Sequence, residues 1–185
     1  MELLLISGSR NPEGQTARAA DAVLAGCAEA GGTVARFFLP ALEIERCRQC
    51  DDNGWGTCRT EGHCVIEDDL DMLVERIRKA DAVVFATPVY YSDLSESMRA
   101  FTDRLRRTAT HMADTSGIKG KPVVGVCVAG GGGGGAPNCC LTLDRVLSRI
   151  GFDVVDMVPV RRQNLQAKAE SLKVLGRWLA SDRSA

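Results

Sequence analysis

Four cysteines lie close together in the first half of the chain. Their spacing is Cys47-x2-Cys50-x7-Cys58-x5-Cys64, so all four fall within eighteen residues. In a reducing compartment such a group is typical of metal binding or redox chemistry rather than of a disulfide framework. Three interpretations stay open: the ligands of a [4Fe–4S] cluster, a zinc site of Cys47, Cys50 and Cys58 with His63 or Cys64, or thiols that bind nothing.

The loop at residues 8–16 has the composition of an anion site. It leaves an apolar run and enters an alanine-rich helix. Backbone N–H groups at a helix start have no intrahelical partner, and the hydroxyls of Ser9 and Thr16 and the guanidinium of Arg10 can converge on the same oxygens. The pattern predicts a phosphate site. The competing interpretation is an ordinary strand-to-helix turn capped by Ser9 or Thr16.

Two further loops have an unusual composition. Residues 87–92 contain the only two tyrosines of the chain, Tyr90 and Tyr91, directly after a strand that a proline ends. Residues 129–137 contain six consecutive glycines, Gly130 to Gly135. A glycine run between a buried strand and a well-patterned helix removes side chains where something approaches the backbone closely, although a flexible linker is the simpler alternative.

These loops are positioned by a regular alternation of strands and helices. Apolar runs predict five strands, and amphipathic patterns predict five helices, the second of which is capped by Asp68 and Asp69. The predicted strands are residues 3–7, 33–39, 81–87, 123–128 and 152–158. Strict alternation predicts a parallel, doubly wound α/β sheet. The three loops each follow a strand's carboxyl end, where open α/β sheets bind ligands. Residues 41–66, which carry the cysteines, interrupt the pattern as an inserted functional loop.

Length and charge exclude several classes of protein. With 185 residues, 45% hydrophobic content and a net charge of −1, the chain is expected to form one compact domain that binds neither nucleic acid nor membranes. Its first strand begins too early to leave room for a signal peptide, so we expect a cytoplasmic protein with a small substrate. His111 lies in a polar segment, 108–120, and is expected to be a solvated surface residue. No Ser/His/Asp set or carboxylate pair stands out for hydrolysis.

The motifs together resemble those of the NADPH-dependent FMN reductase and iron-sulfur flavoprotein branch of the flavodoxin-like superfamily. The resemblance covers nearly the full length. The stretches that carry it are Gly8-Ser9, Gly14-Gln15-Thr16, the cysteine segment with Asp68-Asp69, Asp81 to Tyr91, Ser95 to Arg104 and the glycine run. It implies a three-layer sandwich with a five-stranded parallel sheet in the order 2-1-3-4-5, one FMN-binding domain over residues 1–185, and a homodimer or homotetramer.

The resemblance also implies roles for individual residues. It places the FMN phosphate on Ser9, Arg10, Gln15 and Thr16, although the arginine of many relatives comes one position later. It places the isoalloxazine ring along Pro88, Val89, Tyr90 and Tyr91. Relatives that hold a cluster use a more compact cysteine set, whose third position falls at Asn53 here.

Flavin chemistry agrees with this placement. A flavin needs an aromatic or apolar wall and backbone N–H groups near its reactive edge. Tyr90 or Tyr91 can stack on the ring, and unobstructed backbone is expected from two stretches. These are Thr87, Pro88, Val89 and Tyr90, and Gly130, Gly131, Gly132 and Gly133.

Two functions follow from this resemblance. The first is an oxidoreductase in which FMN takes hydride from NAD(P)H and passes electrons to a flavin, a quinone or an iron-sulfur acceptor. The second is a non-enzymatic FMN and iron-sulfur electron carrier between proteins. The first is favoured, because carriers of the flavodoxin type are usually more acidic than this chain.

Overall fold

The strands form one parallel sheet. The computed structural model describes residues 1–112, 115 and 117–181. Its strands are β1 (Glu2–Ser7), β2 (Thr33–Phe38), β3 (Ala82–Pro88), β4 (Pro122–Ala129) and β5 (Asp153–Arg161). Their order in the sheet is β2-β1-β3-β4-β5, and every pair is parallel. The predicted fold class and strand order are confirmed.

The helices fall where the amphipathic patterns placed them, with one addition. They are α1 (Gln15–Glu29), α2 (Thr57–Thr60), α3 (Leu70–Lys79), α4 (Glu96–Ala109), α5 (Ala136–Ile150) and α6 (Leu165–Ala180). The addition is α2, a single turn inside the cysteine segment. Short 3₁₀ turns occupy Leu39–Ala41 and Arg162–Asn164. The predicted polar segment 108–120 includes residues 113, 114 and 116, which lie outside the described residues.

Helices cover both faces of the sheet, because the central strands are apolar on both sides. In β1, Leu4 and Ile6 pack with α3, α4 and α5, whereas Leu3 and Leu5 pack with α1 and α6. Helices α1 and α6 approach so closely that a Cβ on Gly26 would lie 2.0 Å from the carbonyl oxygen of Lys173. This arrangement is the three-layer sandwich that the alternation of elements predicts.

Among the described residues, no helix combines the length and the apolar character that crossing a bilayer requires.

Candidate functional site

The first loop is held against the next strand of the sheet. The N–H of Gly8 donates to the carbonyl of Ala86, and the hydroxyls of Ser95 and Ser97 both donate to the carbonyl of Gly8. A Cβ on Gly8 would lie 2.4 Å from Oγ of Ser95, so only glycine permits this approach. Ser95 also caps α4, and it thereby fixes the starts of the first and second loops relative to each other.

Helix α1 begins with open backbone donors. Gly14 is its N-cap, no side chain of the described residues caps it, and its first turn contains no acidic residue. The cap by Ser9 or Thr16 that the competing interpretation expected is therefore not present in the described residues. An uncapped helix start with no acidic residue in its first turn keeps its partial positive charge available to an anion.

Buried polar groups line the same end of α1. Ser9 and Thr16 are buried, whereas Arg10 is exposed. The side-chain oxygen of Gln15 is buried and has no hydrogen-bond partner among the described residues. It lies 3.7 Å from the position that a Cβ of Gly130 would take, so the first loop borders the glycine run. A buried amide oxygen without a donor is costly unless a ligand supplies one.

The second loop is a tight turn that displays a tyrosine. Tyr90 and Asp93 exchange both backbone hydrogen bonds, and the two residues between them have positive φ, 49° at Tyr91 and 67° at Ser92. Such a conformation costs non-glycine residues of order 1–3 kcal/mol each and is concentrated at functional sites. The side chain of Tyr91 is fully exposed, and that of Tyr90 is half exposed.

Two backbone N–H groups of this loop, which were expected to be available to a ligand, are hydrogen-bonded within the chain. The N–H of Val89 donates to the carbonyl of Val128, and the N–H of Tyr90 is taken by the turn. Thr87 is buried, and its hydroxyl is engaged with Ser95. The expectation that residues 87–90 offer free backbone donors is therefore wrong for Val89 and Tyr90, because the sheet and the turn consume them.

Part of the glycine run leaves its backbone bare. A Cβ placed on Gly131, Gly132 or Gly134 would meet none of the described residues within 4 Å. Gly133 and Gly135 instead have positive φ, 82° and 80°, which favours glycine whatever the space. The backbone conformation thus explains two of these glycines. The other three border open space, where only a ligand or partner would restrict side-chain size.

The four clustered cysteines line one pocket. Cys47, Cys50, Cys58 and Cys64 are partly buried free thiols around the same space. No group of three His, Cys, Asp or Glu side chains among the described residues is placed to hold a metal ion. The set with His63 proposed for zinc is thus not assembled in this conformation, and His63 lies 3.5 Å from Glu61.

The ends of the cysteine segment are fixed by one arginine. Arg104 on α4 is 1% exposed, and it donates to the backbone carbonyls of Glu45 (3.1 Å) and Ile66 (3.2 Å) and to the carboxylate of Asp68. Arg104 and Cys64 also line the same pocket. Burial by itself would raise the pKa of Asp68, but hydrogen bonds from Arg104 and from the N–H groups of Glu45 and Leu70 outweigh it and hold that pKa below its usual range.

The two aspartates that were predicted to cap α3 mainly hold the cysteine segment and the residues before it. Asp68 accepts from the N–H of Leu70, but it is also the ion-pair partner of Arg104. Asp69 makes no side-chain cap and accepts from the N–H of Glu43. The importance of Arg104 was missed, although its spacing from Phe101 and Leu105 places it on the buried face of α4, where an unpaired charge would not be tolerated.

An aromatic and cationic group adjoins the cysteine pocket, which Arg107 and Gly54 line. Arg107 donates to the carbonyl of Gly54 (2.7 Å) and lies over the ring of Trp55, 4.4 Å from its centroid. His111 contacts Trp55 edge to face, with 5.5 Å between ring centroids. The expectation that His111 is simply solvated is wrong, because it packs on this tryptophan.

The sheet order and the three loops at its carboxyl edge define a flavodoxin-like protein. A family model described as NADPH-dependent FMN reductase matches residues 1–169. The chain therefore belongs to the NADPH-dependent FMN reductase family, as its motifs indicated.

Individual relatives agree with this assignment. An iron-sulfur flavoprotein of Archaeoglobus fulgidus is 33% identical over 105 residues, which are 57% of this chain and 46% of the relative. An iron-sulfur flavoprotein of Methanocaldococcus jannaschii is 30% identical over 131 residues, 71% of this chain and 65% of the relative. The matched stretches thus span about half to two thirds of these relatives.

Solved structures share the fold at lower identity. The NAD(P)H:quinone oxidoreductase from Methanothermobacter marburgensis has a TM-score of 0.73 at 20% identity, over 100% of this chain and 98% of that one. An azoreductase from Bacillus anthracis has a TM-score of 0.69 at 15% identity, over 96% and 99%. At these identities the likeness concerns the fold.

Proposed function

We propose that this protein is an FMN-dependent oxidoreductase, with residues 1–185 as one FMN-binding domain. It would transfer hydride from NAD(P)H to FMN and pass the electrons to a flavin, a quinone or an iron-sulfur acceptor. The observation that carries the proposal is the buried, unpartnered oxygen of Gln15 between an uncapped helix start and a bare glycine run. The Gln15 oxygen is an acceptor without a donor among the described residues, and it lies at the edge of the sheet where the family binds its cofactor.

The residues of the first loop fit the phosphate end of FMN. The N–H groups at the start of α1 and the buried hydroxyls of Ser9 and Thr16 would surround the phosphate oxygens, and exposed Arg10 would approach from solvent. The oxygen of Gln15 is an acceptor, so its partner would be a hydroxyl of the ribityl chain rather than the phosphate itself. The first loop would thus bind both the phosphate and the ribityl chain of FMN.

The other two loops fit the ring. Bound FMN supplies hydride chemistry at its own N5 atom, so this chain needs no acid or base of its own. Tyr91, or Tyr90 beside it, would cover one face of the ring. The backbone of Gly130, Gly131 and Gly132 would approach the ring edge without side chains between them. Gly133, predicted for the same role, is instead packed against the side chain of Arg161. Pro88 and Val89, after β3, would supply the apolar part of the wall.

The cysteine pocket offers the four-thiol donor set that a [4Fe–4S] cluster uses. Each thiolate of such a cluster binds a different iron, so the ligands surround a body and need not meet at one point. Cys47, Cys50, Cys58 and Cys64 line a common pocket without converging. The guanidinium of Arg104, which lines the same pocket, would stabilise the negative charge of a thiolate-bound cluster. Zinc, which has no redox chemistry, could only brace the segment.

The second candidate is a non-enzymatic electron carrier, which the same four-cysteine pocket favours because a cluster passes single electrons. The test is steady-state oxidation of NADPH and NADH by the purified holoprotein with added free flavin or a quinone. Turnover with either acceptor supports the reductase. Absence of nicotinamide oxidation with both donors and both acceptors would favour the carrier.

Assembly and location remain part of the proposal. The fully exposed Tyr91 would be shielded in a homodimer or homotetramer. The free state of the eight cysteines, Cys27 and Cys127 among them, fits the reducing cytoplasm. The net charge of −1 fits small-molecule electron donors and acceptors rather than nucleic acid or membrane.

A further inference from the structure

A second pocket, beside the cysteine pocket, is lined mainly by arginines. Its cationic lining residues are Arg59, Arg106, Arg107 and Arg149, and Trp55 and His111 line it with them. This arginine pocket has a volume of about 510 Å³, within the range of roughly 300–1,000 Å³ that small-molecule sites occupy. Arg107 also lines the cysteine pocket, so the two spaces are neighbours.

The fold brings these arginines together from three separate elements. Arg59 lies in α2, inside the cysteine segment. Arg106 and Arg107 lie in the last turn of α4, and Arg149 lies in the last turn of α5. No local sequence pattern joins these positions, so the cationic group exists only in the folded chain.

The positive charge of the arginine pocket is only partly neutralised by the chain. Arg106 pairs with Asp103 at 3.0 Å, and Arg107 donates to the uncharged carbonyl of Gly54. Within the described part of the chain, neither Arg59 nor Arg149 forms an ion pair, and no aspartate or glutamate lines the pocket. A cleft lined by charges of one sign concentrates ions of the opposite sign.

Trp55 holds part of this group in place. The guanidinium of Arg107 lies 4.4 Å from the centroid of its ring, and that of Arg59 lies 5.6 Å from it. Contacts of this kind restrict two long side chains before any ligand arrives. Binding therefore costs less conformational entropy than it would on freely mobile surface arginines.

We propose that the arginine pocket binds a phosphorylated small molecule through its phosphate groups. Guanidinium groups match phosphate oxygens with two parallel hydrogen bonds each, which a cluster from several directions can supply at once. The pocket is concave and its volume suits a ligand of nucleotide size, rather than the broad surface of an acidic protein. The net charge of −1 gives no general attraction to nucleic acid.

This site is distinct from the first loop, where the FMN phosphate is proposed to bind. Because Trp55 and Arg59 belong to the cysteine segment, a bound phosphate would join that segment to α4 and α5. The inference does not rest on the proposed function. A chain that reduces no flavin could still bind phosphate here, so the two proposals fail separately.

The test uses inorganic pyrophosphate as the probe and Trp55 as the reporter. The chain has two tryptophans, so Trp178→Phe in the FMN-loaded full chain leaves Trp55 as the only one. Trp178 is half exposed on α6, outside the pocket. We expect its replacement to be tolerated and pyrophosphate to change the fluorescence saturably, with a Kd of about 1 mM or tighter. Sodium chloride of equal ionic strength should not produce this change. Calorimetry of the wild-type chain repeats the titration without any substitution.

Two arginine variants locate the binding. Arg149→Ala should weaken pyrophosphate binding roughly tenfold, because it removes a hydrogen bond to a charged group, whereas Arg149→Lys keeps the charge and should weaken it less. Arg59→Ala, on a different element, should weaken it similarly when read by calorimetry. The matched control is Arg10→Ala, which removes an exposed arginine of the first loop and should leave the Kd unchanged.

The outcomes that would overturn the proposal are distinct. Wild-type chain that shows neither heat nor saturable fluorescence change with pyrophosphate would refute the site, whatever the variants do. Equal weakening in Arg10→Ala and Arg149→Ala would show binding outside the arginine pocket. Binding of polyglutamate or RNA, without binding of pyrophosphate, would assign the pocket to a macromolecule instead.

Discussion

Arg104 and Asp68 form a buried ion pair where the two ends of the cysteine segment meet α4. Hydrogen bonds of 2.5 and 3.0 Å join the guanidinium to the two carboxylate oxygens. Their side chains are 1% and 5% exposed. The same guanidinium binds Glu45 before the cysteines and Ile66 after them. The two ends of an otherwise irregular segment are thus joined through α4.

Removing one partner of this pair should destabilise the protein severely. Arg104→Met leaves the carboxylate of Asp68 buried and unpaired, which typically costs about 3–5 kcal/mol. We expect that loss in the free energy of unfolding from denaturant titration of the full chain. The matched control is Arg106→Ala, whose partly exposed pair with Asp103 is worth about 0–1 kcal/mol. Equal losses in both variants would refute the anchoring role of Arg104.

The same pair predicts a pH dependence. The pKa of Asp68 is lowered in the folded chain, so its contribution to stability is fully present above the ordinary value of 3.8 and is lost as the pH falls through the folded value. Unfolding free energies measured from neutral pH to below 3.8 should therefore fall more steeply for wild type than for Asp68→Asn. Parallel curves would show that Asp68 titrates alike in the folded and unfolded chains.

Gly131 can test whether FMN contacts the glycine run, because its backbone conformation does not itself require glycine. A Cβ on Gly131 would meet none of the described residues within 4 Å, so Gly131→Val should change stability by no more than about 0.5 kcal/mol, as at most surface positions. If bound FMN abuts this backbone, the added side chain overpacks the site by about 1–3 kcal/mol, and FMN affinity falls roughly tenfold. Isothermal titration calorimetry of FMN into the apoprotein measures this affinity. The control is Gly120→Ala, at a position far from the three loops. Gly120 has a positive φ of 75°, so this variant should be less stable and should bind FMN with unchanged affinity. Unaltered FMN affinity in Gly131→Val would remove the glycine run from the site.

The cysteine pocket predicts a metal content. Protein purified without oxygen should contain about four iron and four sulfide per chain, with absorbance beyond the flavin bands that air bleaches. Cys50→Ser should lose the iron and keep FMN, because the phosphate loop leaves a different strand. Cys27→Ser is the control and should keep both. Stoichiometric zinc without sulfide would contradict the cluster, and so would iron that persists in Cys50→Ser.

The sequence predicted the features that apolar runs and strand alternation determine. The strand β1 and the loops after β1, β3 and β4 follow from such runs, since a buried strand leaves few alternatives. The positive φ of Tyr91 was not predictable, because neither tyrosine nor serine favours it and only the closed turn to Asp93 imposes it. The cysteine segment lacks periodicity altogether, so its shape depends on Arg104, a residue forty positions beyond Cys64. The helical spacing of Arg104 predicts its burial, but its partners Glu45, Ile66 and Asp68 leave no local pattern.

The central claim is that nicotinamide reduces a flavin held by this chain. Holoprotein is mixed with NADPH, and separately with NADH, without oxygen while the visible flavin band is followed, and dithionite serves as the control for a reducible flavin. We expect rapid bleaching with at least one nicotinamide, complete without any protein partner. Protein that bleaches with dithionite but with neither nicotinamide would contradict the reductase.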